Sequence, residues 1–395
     1  MPRVSVHRGE ADLAAHHAAV GESDALPRGC RIDGEDAQEA SFRRAVVRNP
    51  GSLYFPTVAT KKVGVLTGGG DCPGLNAVIR AVVRRAEGRG IEVLGIRNGW
   101  LGLIEGDVEP LTSYSVIGIL PKGGTILGTS RVNPLRSVED RQRLEGNVKR
   151  FGLDALIVAG GEGTLAAARE LHAAGLPVVG VPKTIDNDLR GTDYTFGFDT
   201  AVNIVREAID RLHTTAESHH RVMVVEVMGR NVGWIAAFGG MAGGADLILI
   251  PEKPYRLEEM CSVLESRRRR GRSFSIVVVA EGAAPAGEPL PEHVGEGNSS
   301  GVGYRVAEQI GNRMAVETRV TVLGHIQRGG SPTAFDRILA TRFGIRAVDL
   351  VCEEKFGLMV GLHGTRMGTV TLKEATAGPK TMDLEQFAEA EVFFG

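Results

Sequence analysis

The chain has 395 residues, of which 43% are hydrophobic and 24% charged, and its formal net charge is −2. That balance suits a globular protein of two or more compact lobes, and gives no bulk attraction to nucleic acid or to an anionic membrane. Aromatic residues make up only 5%, too few for a base-stacking platform, and no apolar run reaches membrane-spanning length or forms the core of a secretory leader. Residues 1–60 are rich in Ala, His, Arg and Glu and end in Asn49-Pro50-Gly51-Ser52; without a strand-like run, they read as a flexible appendage. Regular alternation begins at Lys61. A strand at Val63 to Leu66 is followed by a helix from Gly74 to Arg89 and a strand from Glu92 to Ile96. A helix from Arg141 to Phe151, a strand from Ala155 to Ala159, a helix from Leu165 to Ala174 and a strand from Pro177 to Val181 come next. Beyond them lie a helix from Thr200 to Thr215, a strand from Val222 to Val227 and a helix starting near Trp234. Leu247 to Ile250, Phe274 to Ala280 and Thr321 to Leu323 are further strands, and the Pro- and Gly-rich stretch from Gly282 to Ser300 is a surface loop. Strands alternating with helices predict an α/β protein of parallel sheets flanked by helices, in two similar lobes with a cleft between them. The scattered cysteines Cys30, Cys72, Cys261 and Cys352 have no metal-ligand spacing and read as reduced thiols of a cytosolic protein.

Chemistry-bearing residues collect at the ends of these strands, where open α/β sheets bind ligands. After the apolar run ending at Val181, Pro182-Lys-Thr-Ile-Asp-Asn-Asp188 presents Thr184, Asp186 and Asp188 at alternate positions. In an extended segment those side chains share a face, which suits one acid as proton acceptor and the other at a cation. Asp-Asn-Asp alone fits helix-capping turn chemistry equally well. Leu66-Thr-Gly-Gly-Gly-Asp-Cys-Pro-Gly-Leu-Asn76 opens a helix directly after the first strand, as a phosphate-binding turn does, yet it is neither a Walker loop nor the spaced dinucleotide fingerprint. Gly160-Gly-Glu-Gly-Thr164 repeats the pattern and adds an acid that can hold magnesium beside a phosphate. Leu323-Gly-His-Ile-Gln-Arg-Gly-Gly-Ser-Pro332 brings His325 and Arg328 beside paired glycines. Isolated arginines, Arg131, Arg136, Arg221, Arg230 and Arg319, recur near turns, whereas the run Arg267 to Arg270 reads as a solvated helix end. Together these point to two phosphate-bearing ligands meeting at magnesium.

From Lys61 onward the motifs Gly-Gly-Gly-Asp-Cys-Pro-Gly-Leu-Asn, Gly-Gly-Glu-Gly-Thr, Pro-Lys-Thr-Ile-Asp-Asn-Asp, Met228-Gly-Arg-Asn-Val-Gly and Gly-His-Ile-Gln-Arg-Gly-Gly-Ser-Pro occur in the order in which the 6-phosphofructokinase family carries them, and the chain resembles that family. The resemblance implies two Rossmann-like lobes, a nucleotide lobe of residues 61–197 plus 327–377 and a sugar-phosphate lobe of 198–326 plus 378–395. It implies a cytoplasmic enzyme of glycolysis that phosphorylates fructose 6-phosphate at its 1-hydroxyl with ATP and Mg2+. Matched by position, Gly70, Gly161, Glu162, Gly163 and Thr164 would contact the nucleotide phosphates, with Arg131, Val132 and Arg136 on the same side. Glu162 stands where the family often has Asp as magnesium ligand. Asp186 matches the catalytic base, flanked by Thr184 and Ile185, and Asp188 the second acid. Met228, Gly229 and Arg230 match a sugar-binding segment, Glu281 a sugar-hydroxyl acceptor, and His325, Ile326, Gln327 and Arg328 the sugar-phosphate end. Arg221 and Arg319 match arginines delivered by a neighbouring subunit, so a homotetramer is implied.

The residues that discriminate phosphoryl donors in this family disagree here. Gly163 stands where pyrophosphate users carry Asp, and it leaves room for the nucleotide α-phosphate; Lys183 stands where pyrophosphate users carry Lys and ordinary ATP users Gly. Exclusion by bulk and charge forbids, whereas a lysine only assists, so ATP is expected, in a subgroup intermediate between the two donor types. A pyrophosphate-dependent phosphofructokinase is the nearest alternative, followed by a lipid or NAD kinase and by a nucleotide-binding regulator without catalysis. Arg80, Arg84, Arg270 and Arg272 match effector-binding positions, but Ser113 and His213 replace two arginines there, which argues against the family's feedback control.

Overall fold

The structure, a computed structural model, describes residues 61–288 and 301–395, within the compact unit Val58–Gly395. The expectations for residues 1–60, and for the loop beyond residue 288, lie outside the described residues. The first elements in chain order are β1 (Lys62–Thr67), α1 (Leu75–Glu87), β2 (Glu92–Ile96), α2 (Trp100–Glu105), β3 (Val108–Leu111), α3 (Val138–Phe151), β4 (Ala155–Gly160), α4 (Glu162–Ala173) and β5 (Val178–Pro182). The chain continues through α5 (Phe198–His219), β6 (Val222–Val227), α6 (Trp234–Ala242), β7 (Leu247–Leu249), α7 (Leu257–Arg269), β8 (Ser275–Ala280), α8 (Val302–Met314) and β9 (Thr318–Val322). A 3-10 turn at Gly324–Arg328 precedes α9 (Ala334–Cys352), β10 (Leu358–His363), β11 (Arg366–Thr371), α10 (Leu372–Ala375) and α11 (Leu384–Glu391).

Two sheets form, one in the order β11-β10-β5-β4-β1-β2-β3 and one in the order β7-β8-β6-β9. The smaller is parallel throughout. The larger is parallel except at its two rims, where β3 and β11 run antiparallel to their neighbours. Fully covered parallel strands read as continuous apolar runs, and β4 (Ala-Leu-Ile-Val-Ala-Gly) is buried at every position. Strand periodicity of two divides the core. Val65 and Val225 enter a central cluster with Val82 of α1, Ile209 of α5, Ile235 of α6 and Phe343 of α9. Leu66 faces the other way, with Trp100 and Leu165 behind the larger sheet, and Val224 faces Leu264 and Val306 behind the smaller one. The inner faces of both sheets therefore share one continuous core.

Some boundaries differ from the sequence expectation for local reasons. α4 begins at Glu162, not Leu165, because Gly161 serves as its N-cap, so Glu162, Gly163 and Thr164 ride on the first helical turn. α3 begins at Val138, where the Ser137 hydroxyl accepts the Asp140 N–H at 3.0 Å. β9 runs from Thr318, three residues before the expected Thr321, and α5 begins at Phe198, behind Gly197. The hairpin of β10 and β11, which mixes Gly, His, Arg and Thr with its apolar residues, gave no periodic signal.

Candidate active site

Parallel order aligns the C-terminal ends of β1, β4 and β5, and the connections after them converge there. After β1 the chain turns through Gly68 to Gly70. The Gly68 N–H donates to Ala159 O at 2.9 Å, and Gly69 N–H to Ser130 O at 2.9 Å. A Cβ at Gly70 would lie 2.5 Å from Arg328 Nη1, so a side chain there would displace that guanidinium. Its carbonyl accepts the Lys183 ammonium at 2.5 Å. Lys183 is buried, and burial is the main force holding its ammonium below the usual lysine range.

The acid pair is not held by an extended strand, as alternate spacing had suggested. The segment bends after Lys183, and Asn187 is left-handed at φ 54°. Asn187 staples this turn: its Oδ1 accepts Thr195 N–H at 2.9 Å, and its Nδ2 donates to Asp193 O at 3.2 Å. Left-handed backbone is tolerated best by glycine and by residues such as Asn that bond locally, which is the signal the sequence offered. Thr184 Oγ1 accepts Asp186 N–H at 3.1 Å, and its hydroxyl bonds the Asp188 carboxylate. Thr195 Oγ1 in turn donates to Thr184 O at 2.7 Å. Ile185 points the other way, wholly buried in the core, so it anchors the turn with its side chain.

Burial, and next the Asp188 carboxylate, push the Asp186 carboxyl up to about 7, against the pull of Arg328. Asp188 is raised too, chiefly by burial, with the Thr184 hydroxyl opposing. Asp186 Oδ1 and Asp188 Oδ1 are buried with no hydrogen-bond partner among the described residues. A cavity of about 360 Å³ opens beside Asp186. Gly70, Arg131, Val132, Gly161, Glu162, Gly163 and Thr164, all expected on the nucleotide side, line it together with Lys183, Thr184, Asp186 and Arg328. Sequence reasoning missed Gly69 and Asn133 in that lining. Arg136 is an exposed turn residue outside it.

The smaller sheet contributes Arg328 to that lining. Met228, Gly229 and Arg230 follow β6, Glu281 follows β8, and His325 to Arg328 follow β9, three adjacent parallel strands. Glu281 N–H donates to Val227 O at 2.9 Å, and the Glu281 carboxylate accepts the Gly229 N–H. Burial raises the Glu281 carboxyl, opposed first by the Gly229 N–H and then by Arg230, Arg328 and His325, which lie around it. Burial first, then the charges of Arg328 and Arg230, hold Arg131 below its ordinary value. Three guanidiniums close enough to repel form a seat for an anion.

Two expected contacts turn out differently. Gln327 is wholly buried, its Oε1 accepting Met228 N–H at 3.2 Å and its Nε2 donating to Gly324 O at 3.0 Å, so it braces the Met228 segment from behind. Arg328, expected at the sugar-phosphate end, reaches across to Asp71 O at 3.4 Å and lines the cavity beside Asp186. Arg221 and Arg319 lie apart from the cleft, both paired with Glu317 at the N-terminal ends of β6 and β9. At about 3.3 Å per residue, the length of β6 puts them on the order of 20 Å from Met228. A larger cavity of about 430 Å³ lies near them, but its lining holds a single carboxylate, Glu317. Of the effector positions, His213 bonds Gly243 O at 2.9 Å and Ser113 bonds Glu87.

Comparison with known proteins agrees with this geometry. The family described as "Phosphofructokinase" matches residues 62–351. A Streptomyces coelicolor protein named pyrophosphate–fructose 6-phosphate 1-phosphotransferase is 56% identical over 342 residues, covering 85% of this chain and 100% of that one. Another from the same organism, named ATP-dependent 6-phosphofructokinase 3, is 51% identical over 337 residues, covering 84% and 99%. The solved phosphofructokinase of Saccharomyces cerevisiae superposes with a TM-score of 0.72 at 35% identity, covering 80% of this chain and 45% of that one. The Pichia pastoris phosphofructokinase in the T-state gives 0.74 at 34% identity, covering 89% and 41%, so the chain spans less than half the length of either yeast chain. The chain belongs to the phosphofructokinase family. Its relatives bear names for both phosphoryl donors.

Proposed function

We propose that this chain transfers the terminal phosphoryl group of ATP to the 1-hydroxyl of fructose 6-phosphate, giving fructose 1,6-bisphosphate and ADP. The observation that carries the reading is Asp186, coupled to the neighbouring Asp188, in the lining of a cavity that also holds the Gly-rich turns, Glu162 and the cations Arg131, Lys183 and Arg328. Phosphoryl transfer needs in-line placement and charge neutralisation more than covalent chemistry. Asp186 accepts the proton of the sugar hydroxyl as the new bond forms. Arg131 and Lys183 face the transferred group, and the amides of Gly70, Gly161 and Gly163 hold the donor phosphates. Met228 to Arg230, Glu281 and His325 hold the sugar phosphate.

Among the described residues no group of three His, Cys, Asp or Glu is spaced to enclose a metal ion. Magnesium commonly binds through one or two carboxylates together with substrate phosphates, and the unpartnered Asp188 Oδ1 and the carboxylate of Glu162 on the cavity wall fit that mode. When bound with the donor, the ion supplies charge neutralisation on the phosphates. Arg221 and Arg319 serve the sugar phosphate of a neighbouring copy, which the length of β6 supports, and the assembly is a cytoplasmic homotetramer.

ATP is the favoured donor because a Cβ at Gly163 would project into open space, with nothing within 4 Å. That is the space a nucleotide needs and an aspartate would fill with charge. Pyrophosphate is the second reading, favoured by buried Lys183 and by the names of relatives at 55–56% identity. Purified protein assayed with fructose 6-phosphate, Mg2+ and each donor decides between them. Turnover with ATP alone is expected, and Gly163→Asp should impair it; efficient use of pyrophosphate would overturn the donor assignment.

A further inference from the structure

Behind the acid turn runs a short strap, residues 379–382, between α10 and α11. It is bonded to both walls of the cleft. Lys380 N–H donates to Asp188 O at 2.8 Å, and Lys380 O accepts the indole N–H of Trp234 at 2.8 Å. Lys380 Nζ donates to Thr192 O at 3.0 Å and to Asp193 O at 2.8 Å, and it lies 5.0 Å from the Trp234 ring centroid. One residue thus touches the carbonyl of the second acid, the far end of the loop that Asn187 staples, and the first residue of α6. Trp234 directly follows the Met228–Gly233 segment. The far end of the strap repeats the link: Glu252 Oε1 accepts both Gly233 N–H at 3.0 Å and Met382 N–H at 2.8 Å.

We infer that the Lys380 side chain is a positioning group for the transfer: its ammonium, bonded to Thr192 O and Asp193 O and set over the Trp234 ring, holds the loop that follows Asp188 against the start of α6. The inference rests on the function proposed above but concerns a residue outside the cavity lining. Lys380 acts through others. Its ammonium closes two backbone carbonyls of the acid loop, and its backbone bridges Asp188 to Trp234. In-line transfer requires proton acceptor, hydroxyl and phosphorus to stay aligned, and a displacement of about 1 Å can cost on the order of a hundredfold in rate. A tie with bonds on both sides resists that displacement. Neither ATP nor fructose 6-phosphate needs to touch Lys380, so their ground-state binding should hardly register its loss.

The test compares Lys380→Met with Lys380→Arg. Met keeps the length of the side chain and removes its charge and donors; Arg keeps both. With ATP, Mg2+ and fructose 6-phosphate, Lys380→Met should lower kcat by about 10- to 100-fold while both KM values stay within about threefold. Lys380→Arg should recover most of the loss, and Trp234→Phe, which removes the indole donor and part of the ring beneath the ammonium, should give a smaller loss of the same kind. Independently of turnover, amide hydrogen exchange on the ligand-free protein should quicken in residues 188–195 of Lys380→Met and stay unchanged in β6 and β8. A normal kcat with unchanged exchange would overturn the inference. So would a loss of kcat accompanied by faster exchange throughout the chain, which would make Lys380 a general structural residue. If the wild-type protein turned over neither donor, the functional reading would fall, and the exchange result would still decide whether Lys380 holds the loop.

Discussion

Asp186 carries the sharpest expectation. It lines the cavity, its Oδ1 has no hydrogen-bond partner among the described residues, and Arg328 and Lys183 lie close enough to influence its ionisation. Asp186→Asn keeps the volume and removes the proton acceptor. Loss of general-base assistance typically costs roughly 10²–10⁴-fold. A fall of that order in kcat, with modest change in either KM, is therefore expected, and steady-state kinetics checks it. A change confined to KM would mean that Asp186 binds ground and transition states alike. The residue types of this site were legible in the sequence because Gly-rich turns, paired acids and isolated arginines after strands leave a written pattern. Their orientation was not. Gln327 and Arg328 are adjacent in one motif, yet one turns inward to the Met228 amide and the other crosses to Asp71. A 3-10 turn decides that, and no periodicity in five residues announces it.

Among the elements, the contact between α5 and α9 holds a carboxylate with an unusual cost. Asp336, wholly buried, accepts Thr200 N–H at 2.8 Å and the Thr200 hydroxyl at 2.6 Å. Burial nevertheless outweighs those bonds and raises its carboxyl from 3.8 to about 6. A carboxyl raised on folding contributes stability that is fully present below pH 3.8 and is lost as pH rises through about 6. The gap corresponds to on the order of 3 kcal/mol. Asp336→Asn cannot ionise, so its melting temperature relative to wild type should rise between pH 4.5 and pH 7.5; a constant difference would contradict the assignment. The amphipathic helix α1 and the unbroken apolar run of β4 were readable from sequence, whereas β10 and β11 were not. Leu-Met-Val-Gly-Leu-His and Arg-Met-Gly-Thr-Val-Thr are recognisable as strands only once β5 offers an edge to pair with.

At the scale of the whole molecule, the shared core decides how the two walls of the cleft behave. The central cluster runs without a break from Val65 of β1 through Phe343 of α9 to Val225 of β6, so neither sheet can shed its inner helices alone. Cooperative loss of both sheets is expected. The chain carries its own reporters, since its two tryptophans are Trp100 behind the larger sheet and Trp234 at the start of α6. In Trp100→Phe the fluorescence reports α6, and in Trp234→Phe it reports α2. Each denaturant transition should coincide with the circular dichroism transition of the same variant. Separate midpoints would show two independently unfolding halves.

The hairpin of β10 and β11 also sets an order of events on the ribosome. β5, apolar and buried at every position, pairs with β4 on one side and with Leu358 and Met359 of β10 on the other. During synthesis that second side waits through the making of everything from Phe198 to Cys352. The nascent larger sheet therefore carries an open apolar edge, the kind of surface that recruits other chains or holding chaperones. A transcript cut short before Leu358 should yield insoluble protein, even though it encodes the acid pair and the Gly-rich turns of the cavity.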